Sequence, residues 1–269
     1  MTAYAEVIGD PIAQSKSPVI HRYWLDRLGM EGDYRRTRVS ADELPDFVAS
    51  RRDDRAWRGC NVTMPLKAAI LDLVEDPGEL RATIGAANCV IRGEDGQLNA
   101  TNTDVAGFYE PIAGLSLSGK RVTVVGAGGA ARAVLFALAR LGVDEVALFN
   151  RTPLKAAALL SHFGLKGRVL PLDATPPQSA LIVNASSLGM AGQPEWVPDL
   201  SGQSDETVVY DLVYHPLETA LLSAAAEAGL TTADGLDMLI GQARVAFELL
   251  WGRPAPDEED DALRDLLQA

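Results

Sequence analysis

Cysteine and histidine are scarce in this 269-residue chain, which limits the disulfide and metal chemistry that it can carry. Cys60 and Cys89 are the two cysteines, and each stands alone in an apolar, strand-like stretch. This pattern is typical of reduced core thiols in a cytoplasmic protein. His21, His162 and His215 are scattered without the spacing of metal ligands. We therefore expect no metal site.

The chain also has fewer basic than acidic residues, and its apolar runs are short. The formal net charge is −13, whereas contacts to a phosphate backbone need a basic surface, so nucleic acid is not the expected partner. No apolar run approaches the roughly 18 residues that a membrane helix needs, and the first residues lack the basic-then-apolar order of a secretory leader. The expected partner is a small molecule, and an anionic one is compatible with local positive charge or with helix N-termini.

Strand and helix patterns alternate through most of the chain, which predicts an α/β fold with a mostly parallel sheet. The stretch YAEVI indicates a strand over residues 4–8. In SPVIHRYWLDRLG, Ser17 is the predicted N-cap of a helix and Pro18 its first residue. The pattern LKAAILDLV predicts a further helix over residues 66–74, and the acidic tail from Pro254 predicts a solvated terminal helix.

A glycine-rich turn follows the strand predicted over residues 121–125. The stretch GAGGAA, residues 126–131, fits the G-x-G-x-x-G/A pattern of dinucleotide-binding proteins. Gly126 permits the tight turn, Gly128 lets the backbone approach a pyrophosphate, and Ala131 allows close packing of helix and strand. A glycine turn that binds no nucleotide is the alternative. The order of strand, glycines and helix favours dinucleotide binding within a doubly wound domain.

The end of the next strand distinguishes between the two nicotinamide cofactors. An NAD site usually places an acid here to accept hydrogen bonds from the ribose 2′-hydroxyl. This chain has Asn150, Arg151 and Thr152 instead, with Lys155 one turn later. Arg151 offers a planar fork to a 2′-phosphate and Thr152 offers a hydroxyl, so the sequence favours NADP.

Polar side chains cluster at the ends of three other predicted strands. GCNVTMPLK places Asn61, Thr63 and Lys67 after a buried strand, Asn88 opens a later strand, and Asp104 stands at a strand-to-helix junction. We expect these groups to meet at the carboxyl edge of one sheet, where α/β domains bind ligands. A lysine amine held by a carboxylate can transfer a proton to or from a substrate oxygen. Taken singly, a surface lysine and an N-cap aspartate are the more ordinary interpretations.

Motifs along nearly the whole chain resemble those of the NADP-dependent shikimate dehydrogenase family. In chain order they are VIGDPIAQSKSPVIH, GCNVTMPLK, GAANCV, NTDVAGF, VVGAGGAARA, NRT, NASSLGM, YDLVYHPLET and GLDMLIGQA. The resemblance implies an oxidoreductase that interconverts 3-dehydroshikimate and shikimate on the pathway to chorismate and the aromatic amino acids. It implies a substrate domain of residues 1–104 and 239–269, and a Rossmann-like NADP domain of residues 105–238.

The resemblance also implies roles for individual residues. Lys67 and Asp104 occupy the positions of the catalytic pair. The substrate-binding positions are, besides that pair, Ser15, Ser17, Asn61, Thr63, Asn88, Tyr214 and Gln242. The cofactor-binding positions are Gly126, Ala127, Gly128, Gly129, Ala130, Asn150, Arg151, Thr152, Lys155, Leu212 and Gly235.

Two other functions stay open at this point. Gln14, Cys89 and Lys155 depart from residues that are frequent in the family, which leaves room for a broader quinate/shikimate dehydrogenase. A catalytically silent NADP-binding regulator is the other alternative, and the presence of both Lys67 and Asp104 argues against it. The chain is expected to act as a monomer or a homodimer.

Overall fold

The computed structural model describes residues 2–256 and 260–268 of the chain. Contacts divide it into two compact units, Met1–Ala106 together with Ile240–Ala269, and Gly107–Leu239. Within the described residues, every helix is too short or too polar to cross a membrane.

The first unit is built on a five-stranded mixed sheet in the order β2-β1-β3-β4-β5. Its strands are β1 (Tyr4–Gly9), β2 (Asp33–Arg38), β3 (Trp57–Val62), β4 (Cys89–Arg92) and β5 (Leu98–Thr101). Strand β1 pairs in parallel with β2 and β3, whereas β4 and β5 form an antiparallel hairpin. Gly96 lies in the turn of this hairpin with a φ of 81°, a conformation that favours glycine. The first sheet is therefore mixed, with two parallel and two antiparallel pairings.

The second unit contains six parallel strands in the order β11-β10-β9-β6-β7-β8. They are β6 (Arg121–Val125), β7 (Glu145–Phe149), β8 (Gly167–Leu170), β9 (Leu181–Asn184), β10 (Val208–Asp211) and β11 (Thr231–Ala233). Residues of β9 and β10 are buried throughout, as expected for strands covered on both faces. The strand order reverses between β6 and β9, which is the switch point where doubly wound sheets bind ligands. The predicted Rossmann-like topology is confirmed.

Helices connect and cover these strands. They are α1 (Ser17–Arg27), α2 (Leu44–Arg52), α3 (Leu80–Thr83), α4 (Asp104–Tyr109), α5 (Gly129–Leu141), α6 (Pro153–His162), α7 (Ala220–Glu227), α8 (Gly235–Trp251) and α9 (Asp260–Gln268). Short 3-10 helices occupy Ala69–Asp72 and Glu110–Ile112. Pro45 lies in the first turn of α2, where its missing N–H costs no helical hydrogen bond.

The sequence prediction of a helix over residues 66–74 is wrong. The segment forms turns and the 3-10 helix Ala69–Asp72. The carbonyl of Lys67 accepts a hydrogen bond from the Ala87 amide at 2.8 Å, while the Leu71 amide donates to Ala68 at 3.3 Å. The Lys67 carbonyl is thus bonded to the loop before β4 instead of to the next helical turn. Lys67 consequently lies on a turn that is tied to the segment carrying Asn88.

The start of α1 also differs from the sequence prediction. Ser17 is the first residue of the helix and Lys16 occupies the N-cap, without a side-chain capping hydrogen bond. The hydroxyl oxygen of Ser15 accepts from the Ser17 amide at 3.4 Å, so the residue two positions upstream provides the polar contact. Gly29 follows the helix with a φ of 60°, a left-handed conformation that glycine commonly adopts just after a helix end.

Helix α9 is not simply solvated, as the acidic tail suggested. Leu263 and Leu267 lie four residues apart on one helical face, and both are buried. The helix contacts α1, and the Lys16 ammonium donates a hydrogen bond to the Leu267 carbonyl. One apolar face of α9 is therefore part of the first unit.

An aromatic cluster fills the space between α1, β2 and α8. The rings of His21 and Tyr34 stack with centroids 3.9 Å apart and an interplanar angle of 9°. Trp24 meets Phe247 edge-on at 5.5 Å. All four side chains are almost completely buried, and full burial of one such aromatic ring contributes about 2 kcal/mol. Among the described residues neither ring nitrogen of His21 has a hydrogen-bond partner, and burial lowers the pKa of His21 to about 3.

This buried imidazole predicts a specific dependence of stability on pH. Unfolding restores the ordinary pKa of 6.5, so the unfolded state gains a proton that the folded state excludes. The contribution of neutral His21 to the stability of the folded state is complete above pH 6.5 and is lost as the pH falls towards 3. Within that window the free energy of unfolding of the wild type should fall by up to about 1.4 kcal/mol per pH unit because of His21. His21→Phe should lack this part of the fall, because phenylalanine does not titrate. Urea unfolding of both proteins from pH 4 to pH 7 measures the difference. Parallel curves would contradict a neutral buried His21.

Candidate active site

Lys67 and Asp104 form an ion pair in the first unit. The Lys67 ammonium donates to Oδ2 of Asp104 at 2.5 Å, and the two side chains are 16% and 6% exposed. Lys67 stands on the turn after β3, and Asp104 is the first residue of α4. The structure therefore brings together two groups that are separated by 37 positions in the sequence. Because both are largely removed from water, each depends on the other for compensation of its charge.

Asn88 holds the other carboxylate oxygen of Asp104. Its Nδ2 donates to Oδ1 of Asp104 at 2.8 Å and lies 2.9 Å from the hydroxyl of Thr103. Its Oδ1 accepts from the Thr103 amide at 2.6 Å, which fixes the orientation of the side-chain amide. The carboxylate thus has a separate donor for each oxygen, and its position relative to the Lys67 amine is fixed from both sides.

The residues just before α4 complete this arrangement. Asn102 accepts from the Asp104 amide at 3.1 Å and donates to the Ala86 carbonyl at 2.8 Å. Thr103 is 1% exposed and bonds to Asn88 through both its amide and its hydroxyl. Thr103 was not predicted as a site residue. Its place in NTD, directly before a helix, is the sequence signal that could have indicated a turn built on side-chain hydrogen bonds.

Asn61 and Gln242 border the same cluster. Asn61 lies on β3 and its Nδ2 is 3.4 Å from the Asn88 carbonyl. Gln242 lies on α8, and its Oε1 is 3.4 Å from both Asn88 Nδ2 and the Thr103 hydroxyl. Thr63 follows β3, and its side chain makes no hydrogen bond to the other candidates among the described residues. The predicted meeting of the polar segments at one sheet edge is therefore observed for most of them.

Ser15 and Ser17 form a second polar pair at the start of α1. Their hydroxyl oxygens are 3.3 Å apart, and both side chains are buried. Arg36 donates to the Ser15 carbonyl at 2.7 Å and holds the loop in place. The two hydroxyls lie at the positive end of the α1 dipole, where they can donate hydrogen bonds to an anion.

The glycine turn of the second unit fits a dinucleotide pyrophosphate. Gly126 has a φ of 108°, and a Cβ there would lie 2.7 Å from the Ala185 carbonyl oxygen. Gly128 is the N-cap of α5 and provides no side-chain cap. Apart from its chain neighbours, no described residue has a heavy atom within 4 Å of a Cβ added there. Gly129 and Ala130 begin the helix. Uncapped amides at the positive end of a helix, next to open space, suit a phosphate group.

The turn after β7, residues 150–155, carries two cationic side chains and no acidic side chain. Asn150 donates to the Thr152 carbonyl at 3.0 Å and shapes the turn. Arg151, Thr152 and Lys155 are all exposed at the N-terminus of α6. Neither cation makes an ion pair within the described part of the chain. Both are therefore available to a phosphate group, as the sequence prediction of NADP requires.

Asp211 organises the segment that carries Leu212 and Tyr214. Its buried carboxylate accepts from three donors, at 2.9 Å from Asn184 Nδ2, 3.0 Å from the Val213 amide and 2.7 Å from the Thr219 hydroxyl. Burial raises the pKa of Asp211 to about 6. This network ties the end of β10 to the end of β9 and to the N-cap of α7.

Gly235 approaches the same segment from the start of α8. A Cβ at this position would lie 2.5 Å from the Leu212 carbonyl oxygen, so any side chain would displace the backbone there. The predicted positions Leu212, Tyr214 and Gly235 thus belong to one region of the second unit.

Comparison with known proteins gives a consistent result. A family model described as shikimate dehydrogenase substrate binding domain matches residues 7–90, and one described as shikimate / quinate 5-dehydrogenase matches residues 110–185. The chain is 65% identical to a shikimate dehydrogenase (NADP(+)) of Sphingopyxis alaskensis, over 99% of this chain and 97% of that protein. It is 44% identical to a protein of the same name from Afipia carboxidovorans, over 100% and 97% of the two chains.

Solved structures agree with these sequence relatives. The crystal structure of shikimate 5-dehydrogenase from Thermus thermophilus in complex with NADP(H) and shikimate superposes with a TM-score of 0.86 at 36% identity. The match covers 98% of this chain and 99% of that one. Matches of this extent, with both family models in chain order, show that the chain belongs to the shikimate dehydrogenase family.

Proposed function

We propose that this chain catalyses the reversible, NADP-dependent interconversion of 3-dehydroshikimate and shikimate in aromatic amino acid biosynthesis. The observation that carries the proposal is the buried pair of Lys67 and Asp104, set among neutral hydrogen-bonding side chains in the first unit. A polyhydroxylated ring needs several such neutral groups on a rigid base. Full-length relatives that carry the name shikimate dehydrogenase (NADP(+)) support the same reaction.

Reduction of a ketone requires a hydride at carbon and a proton at oxygen. NADPH supplies the hydride when it is bound. The Lys67 amine is the group that delivers the proton to the carbonyl oxygen in reduction and removes it in oxidation. Asp104 orients that amine, and Asn88 prevents the carboxylate from turning away. A positioned acid or base of this kind contributes about 10²–10⁴-fold to the rate.

Substrate recognition uses groups without net positive charge. We assign the substrate carboxylate to the Ser15 and Ser17 hydroxyls at the positive end of the α1 dipole, which suits a chain with a formal charge of −13. The ring hydroxyls and the rest of the ring are assigned to Asn61, Thr63, Asn88, Tyr214 and Gln242. Hydroxyl groups and side-chain amides can both donate and accept, as recognition of an alcohol requires.

The cofactor is assigned to the second unit. The pyrophosphate belongs at the uncapped start of α5, and the 2′-phosphate belongs at Arg151, Thr152 and Lys155. The remaining cofactor positions are Ala127, Asn150, Leu212 and Gly235. We propose residues 1–104 and 239–269 as the substrate domain and residues 105–238 as the NADP domain.

The cellular setting is part of the proposal. Cys60 and Cys89 are free and buried, and burial raises the pKa of the Cys89 thiol to about 12. Such inert thiols are typical of the reducing cytoplasm. The proposed assembly is a monomer or a homodimer.

The direct test is NADPH appearance with purified protein, NADP and shikimate, with quinate and NAD in parallel reactions. We expect turnover to be strongest with shikimate and NADP. Comparable turnover with quinate would replace the proposal with a broader quinate/shikimate dehydrogenase. Binding of NADP without turnover of either acid would point to a silent regulator.

Replacing the catalytic amine should affect the chemical step more than substrate binding. For Lys67→Ala we expect kcat to fall by about 10²–10⁴-fold, because proton transfer is made mainly in the transition state. The KM for shikimate should change by only a few-fold. Lys120→Ala, at an exposed lysine, is the matched control and should resemble the wild type. An unchanged kcat in Lys67→Ala would remove this lysine from the chemistry.

Two alanine substitutions in the glycine turn should separate folding from cofactor binding. Gly126→Ala introduces a clash with the Ala185 carbonyl and a strained φ, so we expect a lower melting temperature. Gly128→Ala meets no protein atom within 4 Å and should melt like the wild type. Its methyl group would nevertheless hinder a pyrophosphate, so the KM for NADP should rise at least about tenfold. Unaltered NADP binding in Gly128→Ala would place the pyrophosphate elsewhere.

The cofactor preference is predicted to depend on Arg151. We expect Arg151→Ala to raise the KM for NADP by about tenfold or more, because a charge-assisted contact to the 2′-phosphate is lost. The KM for NAD, which lacks this phosphate, should hardly change. Arg140→Ala, at the end of α5, controls for the loss of one positive charge from the same unit. Equal effects of Arg151→Ala on both cofactors would refute the assignment.

A further inference from the structure

Tyr34 lies behind the polar cluster, and the proposed roles leave its hydroxyl unexplained. It belongs to β2, whose other side chains are mostly partly or fully exposed, yet Tyr34 itself has 0% exposure. Its hydroxyl oxygen lies 2.6 Å from Oδ1 of Asn61, a proposed substrate-binding residue on β3. Strand β1 separates β2 from β3, so this bond spans the width of three strands.

The direction of this hydrogen bond follows from the other contact of Asn61. The amide nitrogen Nδ2 lies 3.4 Å from the main-chain carbonyl of Asn88, which can only accept. Turning the amide by 180° would place two acceptor oxygens against each other. Oδ1 of Asn61 must therefore face Tyr34, and Tyr34 must donate. Burial raises the pKa of the Tyr34 hydroxyl well above its ordinary value, so the donated proton is retained.

A consequence for recognition follows. Oδ1 of Asn61 accepts the hydrogen bond from Tyr34, and one Nδ2 hydrogen points towards the Asn88 carbonyl. The second Nδ2 hydrogen has no acceptor among the described residues. Asn61 therefore presents an N–H donor to the substrate, and this donor selects a substrate oxygen that can accept through a lone pair. Without Tyr34, only the long 3.4 Å contact to the Asn88 carbonyl would hold the Asn61 amide in this orientation.

The position of Tyr34 is itself fixed by α1. The His21 ring stacks on the Tyr34 ring at a centroid distance of 3.9 Å, and His21 is fully buried. His21 lies four residues after Ser17, on the same face of the helix. The helix that carries the serine pair at its start thus also fixes the tyrosine that orients Asn61.

We propose that Tyr34, held by the stacked His21, is a positioning residue that fixes Asn61 as a hydrogen-bond donor to an oxygen of the substrate. This inference rests on the proposed function, since it concerns how the shikimate ring is held. It concerns binding of the ring and not the proton transfer at Lys67.

The test begins with Tyr34→Phe, which removes only the hydroxyl. We expect the KM for shikimate to rise about tenfold, the value for one lost oriented hydrogen bond, while kcat and the KM for NADP stay within about threefold. Tyr4→Phe is the matched control, because it removes the 2.7 Å bond from Tyr4 to Asp54 in the same sheet. The control should lower stability without raising the KM for shikimate.

A double-mutant cycle separates positioning from a general loss of structure. In an Asn61→Ala background the hydroxyl has nothing to orient, so Tyr34→Phe should then leave the KM for shikimate unchanged. If the two effects simply multiply, or if Tyr34→Phe binds shikimate like the wild type, the proposal is overturned. If Tyr34→Phe does not fold, Asn61→Asp decides, since it keeps an oxygen for Tyr34 but replaces the donor. Wild-type kcat/KM in Asn61→Asp would overturn the proposal.

The wild-type reaction keeps the two proposals distinguishable. Absence of turnover with shikimate and NADP would refute the proposed function and, with it, the assignment of Tyr34. Turnover by the wild type, combined with an unaltered Tyr34→Phe, would refute the positioning role alone.

Discussion

The ion pair of Lys67 and Asp104 is the interaction on which the site in the first unit depends. Removing two charges from water costs several kcal/mol, and only close pairing with further hydrogen bonds offsets it. The surrounding contacts meet this requirement. The Ala87 amide anchors the Lys67 turn, and Asn88 donates to the carboxylate oxygen that the lysine does not reach. The local backbone is therefore shaped by the need to keep amine and carboxylate together.

The overall negative charge imposes a second constraint, because both proposed ligands are anions. The chain meets it locally, at the positive ends of two helices. At α1 two serine hydroxyls lie at the positive end of the helix, and at α5 the first amides lie beside Gly128, which leaves open space. Each uses the positive end of a helix where a surface of lysines would otherwise be needed. Arg151 and Lys155 add formal charge only where a 2′-phosphate would distinguish NADP from NAD.

What the sequence predicts well here follows from local rules. Strand, glycine turn and helix identify the cofactor turn, and the shared edge of a sheet predicts that Lys67, Asn88 and Asp104 meet. The failures involve partners distant in sequence. The helix predicted after β3 is lost to the hydrogen bond between Lys67 and Ala87, and the burial of Leu263 depends on α1. Tyr34 belongs to a strand whose other residues are mostly exposed, and its own burial depends on His21 of α1.

The hydrogen-bond capacity of Asn88 shows where the network can yield to a ligand. Its Nδ2 has two hydrogens but three acceptors, at 2.8 Å in Asp104, 2.9 Å in Thr103 and 3.4 Å in Gln242. The longest contact is the weakest, and the Thr103 hydroxyl is equally far from the Gln242 oxygen. Loss of the 3.4 Å contact to Gln242 therefore costs Asn88 little, whereas redirecting Asn88 would release the Asp104 carboxylate. Asn88 can thus give up its longest contact to a ligand while it keeps the carboxylate that holds Lys67, the proposed proton donor, in place.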